Sequence, residues 1–409
     1  MAGINKSDDL GVFIICDSNA PLESRIRDGL EGHGVIILEK EHLDAEAMEG
    51  LFYEYVVAKT GEGPPAELPS PEEIRKRLEH DIKSMVDLPV LPQVYQQIVA
   101  LNRDPESELE AWISAIEADP LSRAQVIRRA RSPLYGFQGE ITDARRAVIL
   151  LGKNAVKEII VTGAVKKSLE GVSEEGFDVE DYWIHSVAVA ITAKILRFPQ
   201  EPKEWTPDNK REFEEYAFDD EVVQALKKAG LYKRIKVGPH ADPFVGAMMH
   251  DIGKVALAHG YPGLFALVVE ELKEEEWCQP MRSGERALAG GADHTTVGGI
   301  LAQSWQLGDE VHQVAETHHD EKPKNTLAEL IALADFLAGG LYPFPKQAEF
   351  PTVGAFEEGA AYGGDESLSP FLSESVLSNS GLGLEGLIGL GKAIAPTIRR
   401  LTESMRESV

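Results

Sequence analysis

Residues 246–257 read GAMMHDIGKVAL. Met248, Met249, Ile252 and Val255 give the stretch the apolar spacing of a buried helix. Setting His250 beside Asp251 in such a run is costly unless something satisfies both groups. Two answers stand: a metal ion with chemistry to do, or a hydrogen-bond network in a packed core. On a helix the two side chains project about 100° apart around the axis and could flank one ion, with Lys254 a turn further along the same face.

Other polar residues share this setting. Asp181 and His185 are four apart, which places a carboxylate and an imidazole on one helix face. His294 opens HTTVGGILAQSW, whose small residues permit close packing; His318 and His319 form a second adjacent pair; Asp335 lies in the apolar run LAELIALADFLAGG. Imidazole with carboxylate is the donor set of a first-row transition ion. An aspartate can bridge two ions, and a pair of ions about 3.5–4 Å apart suits in-line attack at phosphorus. A nearby lysine such as Lys254 could then hold a phosphate oxygen as a point charge. Any one of these histidines by itself would be read as a satisfied core residue, and His259 and His312 are assigned no role.

Around these motifs the chain is almost wholly helical from residue 71 onward. LPQVYQQIVALN repeats apolar residues at Val94, Ile98 and Leu101; LEAWISAIEADP does so at Leu109, Ile113 and Ile116, with Pro120 after its end. SRAQVIRRARSPLYG and ITDARRAVILLGKNAVKEIIVTGAV continue the series. Upstream, GVFIICD (residues 11–17) and VIILE (35–39) read as short buried strands alternating with helices, a βαβα pattern. We divide the chain into this small α/β segment (1–62), a Gly/Pro linker (63–77) whose SPEE opens a helix, and a helical domain (78–409). The last comprises an N-terminal part (78–170) and a metal-site part (171–409) carrying a polar insertion at 198–240. A Gly/Pro/Glu-rich loop follows Tyr342, and an amphipathic helix near GKAIAPTIRRLTESM closes the chain.

The 68 acidic and 41 basic residues give a formal charge of −27, which opposes general attraction to nucleic-acid phosphates. Arg128, Arg129, Arg131, Arg145 and Arg146 form a local basic run, read as solvated helix faces. Two cysteines, Cys16 and Cys278, make no disulfide framework, no apolar run has the length of a membrane helix, and MAGINKSDDL lacks a signal-peptide layout. The expectation is a soluble cytoplasmic protein with no membrane partner.

The order H…HD…H…HH…D resembles the HD superfamily of metal-dependent phosphohydrolases. LPVLPQVYQQIVAL, IEADPLSRAQVIRRARSPLYG, YWIHSVAVA, DHTTVGGILAQSW and ETHHD are similar to the motifs of its bacterial HDOD branch. The resemblance implies a mainly α fold. It implies two divalent transition-metal ions (Fe, Mn, Ni or Zn): His185, His250, Asp251 and Asp335 would hold one and Asp251, His294, His318 and His319 a second, with Asp251 as the bridge and Asp251 and Lys254 as candidate catalytic residues. On the pattern of the related HD-GYP phosphodiesterases, Asp181 would contact a further ion. After HHD, however, the chain runs EKPKNTLAELI with Asp320 and no GYP, so cyclic dinucleotide hydrolysis does not carry over. Two functions follow as expectations: a signalling protein that binds, and hydrolyses, a phosphorylated nucleotide or similar phosphoester; or a non-catalytic module that docks a signalling protein, its polar cluster structural and its insertion facing the partner.

Overall fold

The structure, a computed structural model, describes residues 12–16, 35–39, 76, 80–81, 91–104, 106–131, 141–169, 177–199, 205–206, 210, 213–214, 216–238, 241–274, 280–288, 291–345 and 371–408. Strands β1 (Val12–Cys16) and β2 (Val35–Glu39) pair in parallel, Val12 opposite Val35 through Cys16 opposite Glu39. Both match the strands read from the sequence. The helices expected around them, the SPEE helix start and, apart from residue 76, the linker lie outside the described residues.

The rest of the described chain is mainly helical. A first group contains α1 (Gln93–Arg103), α2 (Leu109–Ala118), α3 (Pro120–Ala130), α4 (Ala144–Leu151) and α5 (Lys153–Ser168). Next come α6 (Val179–Arg197), α7 (Asp220–Ala229), α8 (Leu231–Arg234), α9 (Pro243–Met249), α10 (Ile252–Gly260) and α11 (Pro262–Glu274). The chain continues through α12 (Met281–Leu288), α13 (His294–Ser304), α14 (Asp309–Thr317), α15 (Thr326–Gly339), α16 (Glu374–Ser380) and α17 (Leu384–Ser408). Gly152, at φ 83°, splits ITDARRAVILLGKNAVKEI into α4 and α5, a conformation that a residue with a Cβ rarely adopts. None of the described helices is long and apolar enough to cross a membrane singly.

Two hydrophobic clusters organise the packing. One joins Ile98, Trp112, Ile116, Val126, Val148 and Ile160 within α1–α5; the other gathers the remaining helices. Helices α1 and α5 serve both: Tyr95, Val161 and Val165 belong to the second cluster while their neighbours belong to the first. At the centre of the second lies α6, packed on α9, α15 and α17 and buried on nearly every side. A helix apolar all round belongs in a core; here it carries His185 into one.

The insertion folds into this body. Val222, Leu226 and Ala229 of α7 and Leu231 of α8 are buried, and α7 packs against α17. Helices α7 and α8, within the 198–240 segment, thus contribute to the core. The basic run is also occupied: Arg145 forms a bidentate pair with Glu110, Arg129 donates to Ser404 on α17, and Arg131 donates to the Ile141 carbonyl.

Asp242 caps α9, accepting from Val245 N, and pairs at 2.6 Å with Lys157 of α5 in a largely buried setting. Burial pushes its carboxyl up, but the charge of Lys157 and the hydrogen bonds outweigh this and hold it below the usual range. Because the folded-state pKa is depressed, the stabilisation is complete above the unfolded value near 3.9 and is lost as pH falls through the folded value. Lys157→Met should cost about 3–5 kcal/mol at neutral pH by stranding a buried carboxylate, and that cost should shrink as pH falls and Asp242 takes up a proton. Urea unfolding across pH 2.5–7 (roughly the span of that titration) measures both effects.

Candidate metal centre

Each proposed ligand occupies a defined position on this frame. His185 lies in the second turn of α6, which Asp178 caps by accepting from Asp181 N. His250 and Asp251 fall between helices, His250 as C-cap of α9 and Asp251, at φ −102° and ψ 13°, leading into α10. The continuous helix expected through this stretch is therefore broken at the pair. Asp251 adopts the sparsely populated bridge conformation, which lies outside regular helix. His294 opens α13 after its cap Asp293; His318 is the C-cap of α14 and His319 follows it; Asp335 is in the second half of α15.

These five segments converge. His185 Nε2 lies 3.6 Å and His250 Nε2 3.3 Å from Asp251 Oδ2; Asp335 Oδ1 is 3.2 and 3.6 Å from the same two nitrogens. On the other side, Asp251 Oδ1 is 3.3 Å from His294 Nε2 and 3.6 Å from His318 Nε2. The ligand atoms fall into two tight groups, His185–His250–Asp335 and Asp251–His294–His318–His319. Asp251 thus turns one oxygen to each side. Neither group contains Asp181, a half-buried residue of the first turn of α6, nor His259, nor His312, whose Nε2 lies 3.8 Å from Glu316.

The outer nitrogens decide the tautomers. His185 Nδ1 lies 2.8 Å from the Tyr342 carbonyl, His250 Nδ1 2.7 Å from that of Ala247, and His318 Nδ1 2.9 Å from that of Val314. A carbonyl only accepts, so each Nδ1 carries the proton and donates it, leaving an Nε2 lone pair turned inward. His294 Nδ1 donates instead to the Glu285 carboxylate at 2.5 Å. All four Nε2 atoms and Asp251 Oδ1 are buried without a hydrogen-bond partner. Acceptors facing acceptors in a dry core are unfavourable unless a cation lies between them. Neighbouring ligand atoms on an ion with bonds of ~2.1 Å lie roughly 3.0–3.4 Å apart, close to the separations found, so these residues could hold metal.

The charge states of both carboxylates and of two imidazoles agree. Burial raises the Asp251 and Asp335 carboxyls, but the adjacent imidazoles, and for Asp251 also Lys254, hold both well below the ordinary range. His318 is depressed by burial and by its charged neighbour His250; burial and the charges of His318 and His294 depress His319 further. Ionised carboxylates and neutral imidazoles are the forms that bind metal. His250 goes the other way: against the effect of burial, Asp251 and Asp335 raise it to about 10, marking where positive charge is most wanted. Lys254 Nζ donates to Asp251 Oδ2 at 2.5 Å, and Asp251 raises its pKa against the effect of burial.

Three residues that hold the centre together were not read from the sequence. Arg282 of α12 donates to Asp293 Oδ2, the His319 carbonyl and Asp320 Oδ1; Arg286 joins it on Asp293; Glu285 takes both Nδ1 and the backbone N of His294. They stand at i, i+3 and i+4 on one helix face, a pattern indistinguishable from a solvated charged face. Only Asp293 left a signal, an aspartate at a helix start. The close approach of α10 and α13 has its own requirement: a Cβ on Gly253 would lie 1.9 Å from the His294 carbonyl oxygen and 2.7 Å from Gly298 N. The ligand side chains exposed enough to meet solvent are Asp335 and His319, at 18% and 21%. A separate cavity of about 360 Å³ lies between α1, α9 and α14, lined by Val99, Arg103, Asp242 and Val311, and touches none of the ligands.

The HDOD domain family profile matches residues 88–204 and 208–321. Among solved structures, the chain is similar to an HDOD domain protein of unknown function from Geobacter sulfurreducens (22% identity, 83% of this chain and 99% of that one, TM-score 0.56). A provisionally named signal transduction protein from Marinobacter aquaeolei VT8 is also similar (18% identity, 93% and 72%, TM-score 0.54). At these identities the likeness is one of fold. No curated protein matches the chain.

Proposed function

Because this chain belongs to the HDOD domain family, we propose that it is a signalling protein whose buried cluster binds two divalent transition-metal ions and acts on a phosphorylated small molecule, such as a nucleotide phosphoester. One observation carries the reading: four inward Nε2 atoms and an Asp251 oxygen are buried without partners, and Asp251 divides its two oxygens between two ligand groups.

The ions, when bound, supply Lewis acidity toward a phosphoryl oxygen and a nucleophile at neutral pH. The protein's own residues do the rest. Asp251 holds the two positions in register, and Lys254 fixes the rotamer of Asp251 through Oδ2 while adding a positive charge. That placement makes Lys254 first a partner of the bridge; contact with phosphate, the role read from the sequence, comes second. Asp335 and His319 form the accessible edge, so a phosphoester would approach from their side.

The test is metal analysis of protein reconstituted anaerobically with Mn²⁺ or Fe²⁺, followed by a panel of phosphomonoesters, phosphodiesters and nucleotides. Two ions per chain and turnover abolished by Asp251→Ala are expected. Absence of bound metal after reconstitution would defeat the reading and leave a structural cluster in a docking module. Bound metal should also raise the thermal midpoint, since an ion at 100 times its Kd adds about 2.7 kcal/mol.

A further inference from the structure

The two ligand groups differ in where their charge comes from. His185, His250 and Asp335 include a carboxylate of their own; His294, His318 and His319 include none and share only Asp251. The second group also lies close to Arg282, whose guanidinium donates to the His319 carbonyl. Three neutral imidazoles and half a carboxylate are a meagre counter-charge for a dication in a buried site.

Glu285 supplies what is missing. It is 2% exposed, and its Oε2 receives both His294 Nδ1–H at 2.5 Å and His294 N–H at 2.9 Å. Its Oε1 is buried with no hydrogen-bond partner, so this carboxylate is committed to His294 alone. The other three inward histidines rest on main-chain carbonyls. A carboxylate behind an imidazole raises its basicity and fixes its orientation more strongly than a carbonyl does. Resting on the two-ion reading above, we propose that Glu285 is a positioning residue dedicated to the second ion: it acts through His294 to make the Asp251–His294–His318–His319 position competent, and the first position does not depend on it.

The experiment uses Mn²⁺ alone as probe, with the full-length protein. Glu285→Gln keeps the shape and a carbonyl acceptor but removes the charge. Equilibrium binding should show one site of wild-type affinity and one weakened roughly 10–100-fold. Electron paramagnetic resonance, at Mn²⁺ levels that fill two sites in wild type, should change from a coupled pair to an isolated ion. Glu285→Asp keeps the charge but shortens the reach, and should weaken the same site while sparing the other. Either variant binding two ions with wild-type affinities would overturn the role of Glu285, as would equal weakening of both sites. Wild type that binds no Mn²⁺ would instead overturn the two-ion reading itself.

Discussion

Asp251→Ala is expected to strip both ions from the protein, whereas His185→Ala and His318→Ala each strip one. The asymmetry follows from the geometry: Asp251 Oδ2 faces His185 and His250, and Oδ1 faces His294 and His318. Losing a direct ligand should cost each ion more than the roughly 10–100-fold that accompanies loss of an outer partner. The same substitution removes the counter-charge of buried Lys254, whose Nζ lies 2.5 Å from Oδ2. Stranding that ammonium should lower metal-free stability by about 3–5 kcal/mol. Elemental analysis after gel filtration gives the stoichiometry, and urea unfolding with chelator gives the stability. If Asp251→Ala retains one ion at full occupancy, Asp251 is not the bridge.

Gly253→Ala should be more damaging than any other glycine-to-alanine change at the centre. The new methyl would sit 1.9 Å from the His294 carbonyl oxygen and within 2.8 Å of its carbon, and a helix backbone cannot rotate out of the way as a side chain can. Relief requires α10 and α13 to separate, carrying Asp251 from His294, now 3.3 Å apart at their facing atoms. Overpacking against backbone places the expected loss at about 3 kcal/mol or more, with the second ion lost as well. Gly389→Ala is the control: it is exposed on α17 with nothing within 4 Å of the new carbon. That change should be neutral or stabilising by up to ~1 kcal/mol. Comparable midpoints for the two variants would show that the α10–α13 contact does not restrict size at residue 253.

Much of the fold was legible because helical periodicity is local. Val94, Ile98 and Leu101 mark α1, and Leu109, Ile113 and Ile116 mark α2; these helices appear where the spacing places them. The small residues of HTTVGGIL foretold close packing, and Gly298 and Gly299 do abut Ala315 and Glu316 of α14. The break between His250 and Asp251 was not legible, because an unbroken apolar pattern spans it. Nor did the polarity of the insertion single out Val222, Leu226, Ala229 and Leu231, which α7 and α8 bury.

By itself the sequence determined that this is a mainly helical chain carrying His185, His250, Asp251, His294, His318, His319 and Asp335 in order, because residue identity and helical spacing are properties of neighbours along the chain. The resemblance already divided those residues into two sets; their geometry was left to tertiary structure. It directed the two oxygens of Asp251 to opposite groups, left Asp181 outside both, chose which nitrogen of each imidazole faces inward, and brought Glu285 of α12 behind His294. Such choices depend on distances between segments far apart in sequence, set where helix backbones meet, as they do at Gly253 and His294. No local pattern encodes them.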